Sequence, residues 1–444
     1  MAKLWEKSKQ KSHPFIEKYT AGQDHIFDAF LMPFDIQASR VHAKGLRKIG
    51  ILDAGELKKI LATLDLLERE FRAGKIKITA ADEDCHTVIE NYLVSKLGGT
   101  GKKIHTGRSR NDQVLVALRL YMKDRLAEIH DKCLGLASAF LLFAENNRDI
   151  PLPGYSHTRQ AMLSSVSHWT LSFVESLLDD LDYLIAVSKH IDKNPLGSAA
   201  GFGVSIPIDR EFTTQELGFT GLQVNSLYCQ NSRGKFESLF LEALVQIMLT
   251  LGKFVNDLLL FTSSESGFFR VDAALSTGSS IMPHKHNLDA LEILRGNTSV
   301  VIAHQLMVKE ISKNLLSGYN RDFQLLKKPL MESARIVLEG IEVAGIFIKD
   351  ITPCREEIET KIDREMFMAD IANTLVMEKH IPFRDAYQKA ASAVSLDNLN
   401  LKDNLVSKVT LGAPGNLAFA LYHERIKKQK ELSRATKTGF QKKL

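Results

Sequence analysis

The sequence predicts a mostly α-helical protein with a central bundle of very long helices, and two patterns indicate this. Proline is scarce: 11 occur in 444 residues, and the spans 34–150, 208–282 and 284–328 contain none, which permits long uninterrupted helices. Within those spans apolar residues recur three and four positions apart, whereas the long alternating patterns typical of strands are scarce. We therefore expect helices packed on helices around a core.

Two of the long helices can be placed from their apolar residues. One contains Leu126, Ile129, Cys133, Leu136, Ala137 and Phe140, and the other contains Leu239, Leu241, Leu244, Ile247, Met248, Leu251 and Phe254. The second is apolar on more than one face, which suits a helix that packs on several neighbours or across a subunit interface. Glu242, Lys253 and Asp257 interrupt it, so we expect a buried helix and not a membrane span.

The formal net charge of +5 comes from the C-terminal end of the chain. Residues 425–444 contain eight Lys and Arg side chains against one acid, Glu431, so the rest of the chain is close to neutral. We interpret this basic tail as a solvated helix end or a frayed terminus. Nucleic-acid binding through the tail is an alternative, although Phe440 is its only aromatic residue and no recognition fold accompanies it.

Cysteine placement and the first residues indicate the compartment. Cys85, Cys133, Cys229 and Cys354 lie far apart and form no C-x-x-C pair, which favours reduced thiols. Residues 1–7 contain no apolar stretch of the length that a signal peptide needs. We therefore expect a cytoplasmic protein with neither a membrane nor a nucleic acid as a partner.

Four polar clusters fall between or at the ends of the predicted helices, where catalytic residues concentrate. They are Glu83–Glu90, His105–Gln113, Pro153–Thr158 and Ser276–Asn287. In the first, His86 and Glu90 are four residues apart and are expected to support each other on one helical face. The second presents Arg108 and Arg110 after a glycine, and Arg binds carboxylates and phosphates in a bidentate manner.

The fourth cluster is the most informative of the four. Its run of small residues, 276–280, is flexible enough to form a mobile lid, and Lys285 and Asn287 would then lie over a bound anion. His284 and His286 could instead suggest a metal site. Two histidines without a third carboxylate or thiolate ligand nearby make a poor one, so we expect no metal.

These motifs together resemble a known enzyme family. Residues 278–287 are similar to the signature of the aspartase/fumarase superfamily, and residues 105–113 are similar to the argininosuccinate lyase family within it. Further similarities lie at residues 155–157, 195–198, 207–211 and 319–327. The resemblance extends from about residue 15 to about residue 400 in the order of the family. It implies a three-domain fold, with an N-terminal helical domain at 1–110, a long-helix bundle at 111–355 and a C-terminal helical domain at 356–444.

The resemblance implies a reaction: anti elimination of L-argininosuccinate to L-arginine and fumarate, the last step of arginine biosynthesis. Proton removal next to a carboxylate leaves a carbanion, so cations and N–H donors at the succinyl part stabilise the transition state. By the same resemblance Lys285 and Asn287 fill this role. The substrate is then held at the succinyl side by Asn111 and Ser156, with Ser109, Arg110 and His86 close by. The resemblance places Tyr319, Gln324 and Lys327 at the amino-acid end, where Gln324 and Tyr319 pair with the α-amino group and Lys327 pairs with the carboxylate.

The resemblance also assigns the proton-transfer residues. Ser279 is implied as the base, which requires a closed lid together with Lys285 and backbone N–H groups that stabilise its alkoxide. His157 then delivers a proton to the leaving guanidino nitrogen, and Glu292 orients and charges it. No metal and no organic cofactor is implied. The family assembles as homotetramers with a helical core, in which each site is built from three chains, so His157, Ser279 and Asn111 are expected to meet only between subunits.

The chain departs from the family pattern around the rim of the expected site. The family has Ser where this sequence reads Thr20-Ala21-Gly22, Leu288 replaces a proline, and residues 158–162 and 6–9 differ. These departures lie around the rim of the site and not at the proton-transfer residues. They therefore affect the prediction of the amine leaving group and not the prediction of an elimination. Two alternatives therefore stay open: a lyase that releases fumarate from a different N-succinyl amine, and a catalytically silent structural relative.

Overall fold

The computed structural model describes residues 13–393 and 400–441. The N-terminal part contains α1 (Pro14–Ala21), α2 (Asp24–Lys48), α3 (Ala54–Arg72), α4 (Cys85–Leu97) and α5 (Gly99–Lys102). The central part contains α6 (Arg110–Asn146), α7 (Val166–Ile191), α8 (Arg210–Glu216), α9 (Ser226–Asn231), α10 (Lys235–Phe261), α11 (Asp289–Ser312) and α12 (Lys327–Asp350). The C-terminal part contains α13 (Arg355–Thr360), α14 (Met368–Lys379), α15 (Phe383–Ala393), α16 (Leu401–Ser407) and α17 (Phe419–Gln441).

Strands are short and lie at the ends of helices. They are β1 (Pro151–Ser156), β2 (Arg159–Ser165), β3 (Lys193–Asn194), β4 (Gly221–Leu222), β5 (Phe269–Arg270), β6 (Thr277–Gly278), β7 (His286–Asn287) and β8 (Thr352–Pro353). The strands pair two by two: β1 with β2, β3 with β4, β5 with β8 and β6 with β7. The prediction of a mostly α-helical protein is confirmed. The cluster at Pro153–Thr158, expected between helices as irregular chain, is part of the β1–β2 hairpin instead.

The central bundle is formed by α6, α7, α10, α11 and α12. The longest, α6, has 37 residues and begins with a capping box, in which the Ser109 hydroxyl and the Asp112 carboxylate satisfy each other's backbone N–H groups. Aromatic rings fill the space between the helices, with Phe140 and Phe254 packed edge to face at 4.8 Å. Both apolar patterns predicted as long helices therefore lie in this bundle.

The apolar helix α10 is a core element. The helical stretch Ser226–Phe261 is long and apolar enough to cross a membrane, but 67% of its most apolar window is buried inside the protein. Phe240, Ile247 and Phe254 have no exposed surface. The prediction of a buried helix is confirmed, and the apolar composition is explained by contacts with α7, α11 and α12.

Helix α2 runs through a proline, which the sequence pattern did not predict. Pro33 lies inside the 25-residue helix and removes the hydrogen bond that its N–H would have made to Ala29. The flanking Met32 and Ile36 are fully buried. Packing on both sides of the proline therefore keeps the helix continuous.

The first half of the basic tail is a helix that is docked on one face and solvated on the other, since Lys427, Lys428 and Lys430 are exposed. The interpretation of a solvated helix end is thus confirmed for these side chains, and the docked face was not predicted. Arg425 donates to Asp179 on α7 at 2.7 Å. Gln429 is 2% exposed and donates to Asp182. These contacts join α17 to the bundle because α7 presents acidic side chains at that level. Lys442, Lys443 and residues 6–9 lie outside the described residues.

Candidate active site

A charged cleft lies between the N-terminal helices, the start of α6 and the segment before α12. It contains about 550 Å³ of free space, part of it continuous with solvent. Its lining includes six residues predicted from the sequence: His86, Arg110, Asn111, Tyr319, Gln324 and Lys327. Chain segments more than two hundred residues apart thus converge on one site.

The turn before α6 positions Arg110 and Asn111. Gly107 has φ +71°, and a Cβ atom there would lie 2.3 Å from Ile208 Cδ1, so only glycine fits. His42 Nε2–H donates to the carbonyl of Thr106 at 3.0 Å, and burial lowers the pKa of His42 well below its usual value. A neutral imidazole therefore holds this turn from α2.

Asp112 connects the same turn to the chain that follows α7. Its carboxylate accepts the N–H of Ser109 at 2.9 Å and the N–H groups of Gly197 and Ala199 at 3.0 Å each. Because Asp112 has no exposed surface, it holds these backbone groups rather than a ligand. The resemblance to the family at residues 195–198 is therefore explained by backbone contacts with Asp112 and not by contact with a ligand.

Arg110 belongs to a set of ion pairs at the mouth of the cleft. Its guanidinium lies 3.3 Å from Glu83 and 3.4 Å from Asp84, and it donates to Thr87 Oγ1 at 2.7 Å. Arg321 joins the set, with 2.9 Å between its Nη2 and Glu83 Oε1. Burial acts to raise the pKa of Glu83, but the Arg321 hydrogen bond and the Arg110 charge outweigh it and hold that pKa below its usual value.

Lys327 is buried at the inner end of the cleft. Its ammonium lies 2.5 Å from Asp28 Oδ1 and 3.1 Å from Asp24 Oδ2. Burial acts to lower the pKa of Lys327, yet the two carboxylates raise it above its usual value. Within one chain this cation already has two counter-ions. Its predicted contact with a substrate carboxylate stays a prediction.

His86 does not pair with Glu90, and that prediction was wrong. His86 Nδ1 lies 2.6 Å from Asp35 Oδ2, whereas Glu90 lies 3.2 Å from His105. Burial acts to lower the pKa of His86, but the Asp35 charge raises it above its usual value. The partner comes from α2, because both residues face the interior there. His86 lines the cleft, and its Nε2 atom is buried with no hydrogen-bond partner among the described residues.

Asp28, Cys85 and His86 form a group whose ligand atoms all lie within 4.8 Å of one another. The arrangement is a poor metal site. The Lys327 ammonium already contacts Asp28, and a cation there opposes a second one. Burial and the neighbouring carboxylates raise the pKa of the Cys85 thiol well above its usual value, which disfavours the thiolate that a metal requires.

The candidate proton donor lies on the β1–β2 hairpin. Ser156 pairs with Arg159, which leaves His157 and Thr158 as a two-residue turn. Both have positive φ, +52° and +61°, the values of a type I′ turn that normally contains Asn or Gly. A branched residue in this conformation is strained, and strain of this kind concentrates at functional sites. His157 is exposed at the tip.

The candidate base lies on the Ser/Gly-rich loop. Strands β6 and β7 pair Thr277 with Asn287 and close its base, and its tip residue Ile281 is 82% exposed. Ser279 Oγ accepts the N–H groups of Met282 at 3.0 Å and Ile281 at 3.4 Å. Two backbone donors directed at this oxygen would stabilise its alkoxide.

One chain therefore assembles only part of the predicted site. Ser109, Ser156, His157, Ser279, Lys285, Asn287 and Glu292 do not line the charged cleft in the described residues. No hydrogen bond joins His157 to Glu292 in that part of the chain, and both are exposed.

The sequence missed the two acidic residues that face Lys327, Asp24 and Asp28. One signal was available, because Lys327 lies in an apolar stretch, where a cation needs a counter-ion.

The bundle and the cleft define the class of protein first, through comparison with solved structures. EDDS lyase in complex with formate superposes with a TM-score of 0.82 at 20% identity, over 98% of this chain and 94% of that one. Brucella melitensis fumarate lyase:delta crystallin bound to cobalt gives a TM-score of 0.72 at 18% identity, over 93% and 95%. The fold is that of the aspartase/fumarase superfamily.

Sequence relatives narrow the class to one family. A family model described as Lyase matches residues 6–303. The argininosuccinate lyase of Thermotoga neapolitana is 46% identical over 389 residues, which is 88% of this chain and 97% of the relative. That of Sorangium cellulosum is 40% identical over 418 residues, or 94% and 96%. The chain belongs to the argininosuccinate lyase family, which consists of carbon–nitrogen lyases.

Proposed function

We propose that the protein catalyses anti elimination of L-argininosuccinate to L-arginine and fumarate. The observation that carries the proposal is the charged cleft, which joins the motif residues Arg110 and Asn111 to Tyr319, Gln324 and Lys327 in a member of this family. A zwitterionic amino acid with two further carboxylates is the kind of ligand that such a mixture of cations, anions and amides binds. The reaction requires no redox chemistry and places the protein at the last step of arginine biosynthesis in the cytoplasm.

Ser279 abstracts the proton in the proposed mechanism. The N–H groups of Ile281 and Met282 already point at its oxygen, and Lys285 lies on the same loop. When the loop closes over the succinyl part, Lys285 and Asn287 stabilise the negative charge that spreads into the carboxylate. Exclusion of water strengthens each of these contacts.

His157 donates a proton to the leaving guanidino nitrogen, with Glu292 as its partner from another subunit. His157 at the hairpin tip and Glu292 in the first turn of α11 are both exposed, as they must be to meet across an interface. The exposed apolar side chains of α11, which are Ile293, Val300, Ile302, Leu306 and Met307, support a homotetramer packed through its long helices.

The division into domains at 1–110, 111–355 and 356–444 is also proposed. Ala372, Ala386 and Ala390 pack in a small apolar cluster of their own, apart from the main core. This cluster supports a separate C-terminal unit around α14 and α15.

The experiment that tests the function follows the ultraviolet absorbance of fumarate with four substrates in parallel: argininosuccinate, adenylosuccinate, aspartate and malate. We expect an increase with argininosuccinate alone. An increase with another substrate only would reject the assignment and retain the elimination chemistry. No increase with any of them, from a folded tetramer, would support a catalytically silent relative.

A further inference from the structure

The inner end of the cleft carries two carboxylates around one ammonium. Lys327 faces Asp28 and Asp24, and the three side chains are buried to different degrees. Asp28 has no exposed surface, while Asp24 is 12% exposed and lines the cleft. Lys327 alone does not balance these two carboxylates, and Asp24, on which the Arg321 charge also acts, is the one that reaches the cleft.

The other charged side chains described around the cleft are balanced in pairs. Arg110 and Arg321 face Glu83 and Asp84, Arg233 is bonded to Glu237 at 2.9 Å, and His86 is bonded to Asp35. The Arg321 charge also acts on Asp24 and lowers its pKa. The carboxylates of Asp24, Asp28, Glu83 and Asp84 therefore face three cations, Lys327, Arg110 and Arg321, which leaves the described lining with one negative charge in excess. A cationic group of the ligand would complete the balance.

The donors next to Asp24 are already engaged. Gln324 Nε2 donates to the carbonyls of Thr20 and Ala21 at 3.0 Å each, and the Lys327 side chain is 5% exposed. A ligand carboxylate that reached this corner would meet the carboxylate of Asp24. A ligand ammonium would meet an unbalanced acceptor.

We infer that Asp24 is a specificity-determining residue, whose carboxylate binds the α-ammonium of the amino-acid part of the substrate. Lys327 is then the buried counter-ion of Asp24 and Asp28, and not the ligand of the substrate's α-carboxylate that the sequence suggested. The inference rests on the proposed function, because it takes argininosuccinate as the substrate. Asp24 follows Thr20-Ala21-Gly22, the segment in which this chain departs from the family pattern.

The charge state of Asp24 agrees with this role. Burial raises the pKa of Asp24 to about 6, with Lys327 acting in the opposite direction. The carboxylate is therefore ionised at neutral pH, where it can pair with an ammonium.

The reverse reaction with two arginine analogues tests the inference in the wild-type enzyme. Agmatine retains the ammonium and lacks the carboxylate, whereas 5-guanidinopentanoate retains the carboxylate and lacks the ammonium. With fumarate as the second substrate, we expect kcat/KM to fall less than about tenfold for agmatine and more than about a hundredfold for 5-guanidinopentanoate, relative to arginine. The opposite order would overturn the inference and return the carboxylate contact to Lys327.

The variant Asp24→Asn separates recognition from folding. We expect KM for arginine to rise ~10–100-fold with a smaller change in kcat, and KM for 5-guanidinopentanoate to stay unchanged. Asp24→Glu should recover part of the arginine affinity. Asp53→Asn removes an acid from the N-cap of α3, outside the cleft, and should leave the analogue preference unchanged. If Asp24→Asn does not fold, the comparison of agmatine with 5-guanidinopentanoate in the wild-type enzyme still tests the inference.

Failure of the two proposals can be told apart. Wild-type enzyme that turns over neither argininosuccinate nor arginine with fumarate overturns both the function and the role of Asp24. Wild-type activity combined with an unchanged arginine KM in folded Asp24→Asn overturns the role of Asp24 alone.

Discussion

The charged cleft and the two exposed segments that carry the proposed proton-transfer residues differ in how they are held. In the cleft, Lys327 and Arg110 are fixed by ion pairs between 2.5 and 3.4 Å inside one chain. His157 lies on a strained hairpin tip, and Ser279 lies on a loop closed by only two paired residues on each side. In the proposed mechanism, ligand recognition is thus built into one chain, while the chemistry requires loop closure and a partner subunit.

The largest effect is expected from Ser279→Ala. Removal of the base should lower kcat by on the order of 10²–10⁴, without a change in thermal stability, because the side chain contacts only its own loop. Steady-state kinetics and thermal unfolding measure the two quantities. Ser280→Ala, next to it on the same loop, is the matched control and should remain within a few-fold of wild type. Near-normal turnover in Ser279→Ala would contradict the assignment.

Mixing two inactive variants tests whether the site is shared between chains. His157→Asn and Ser279→Ala tetramers, unfolded together and reassembled, should regain a measurable fraction of activity, because some mixed sites contain both intact residues. Each variant reassembled alone is the control and should stay inactive. If the mixture shows no recovery although mixed tetramers form, each site lies within one chain.

Lys327→Met should instead act on stability. It leaves Asp28 buried without its counter-ion, so the free energy of unfolding should fall by about 3–5 kcal/mol. Denaturant unfolding measures it, with the exposed neighbour Lys328→Met as the control, expected within about 0.5 kcal/mol of wild type. A stable Lys327→Met protein would show that the cleft is not held by this ion pair.

Glu83→Gln should have a smaller effect that depends on pH. The pKa of Glu83 is lower in the folded protein than its usual value, so its contribution to stability is present above the usual pKa and is lost as the pH falls through the folded pKa. Wild type should therefore be more stable than the variant by about 1–3 kcal/mol at pH 7. Unfolding at a series of pH values should show that the stabilities of wild type and Glu83→Gln converge in acid. Glu339→Gln, in an exposed pair with Arg335, is the control and should show little difference at any pH.

Most of the fold followed from patterns within single helices. Apolar spacing placed α6 and α10, because a helix that buries one face must repeat that face every three or four residues. Pro33 inside α2 and the hairpin at Ser156–Arg159 were not predicted. In both cases packing against other parts of the chain outweighs local preference.

The predicted site was recovered only in part, for a physical reason. The motifs identified Arg110, Tyr319 and Lys327 by residue type, but a motif contains no information about counter-ions that come from elsewhere in the chain. Lys327 is held by α2, some three hundred residues away along the chain. Its role as a buried cation becomes visible only when both elements are placed.

The sequence by itself determined the helical class and the family, because periodicity and motif order are local properties of the chain. The reactive side chains that it indicates stay a prediction. Only the tertiary structure decided which charges are free to meet a ligand. The energy of an ion pair depends on the inverse of the distance between the charges and on their burial. Packing of the chain sets both the distance and the burial. From the sequence alone, Arg110 and Lys327 are predicted to be ligand-binding cations, but in the folded chain both are paired with carboxylates, one of which is the Asp24 that we propose to bind the substrate's ammonium.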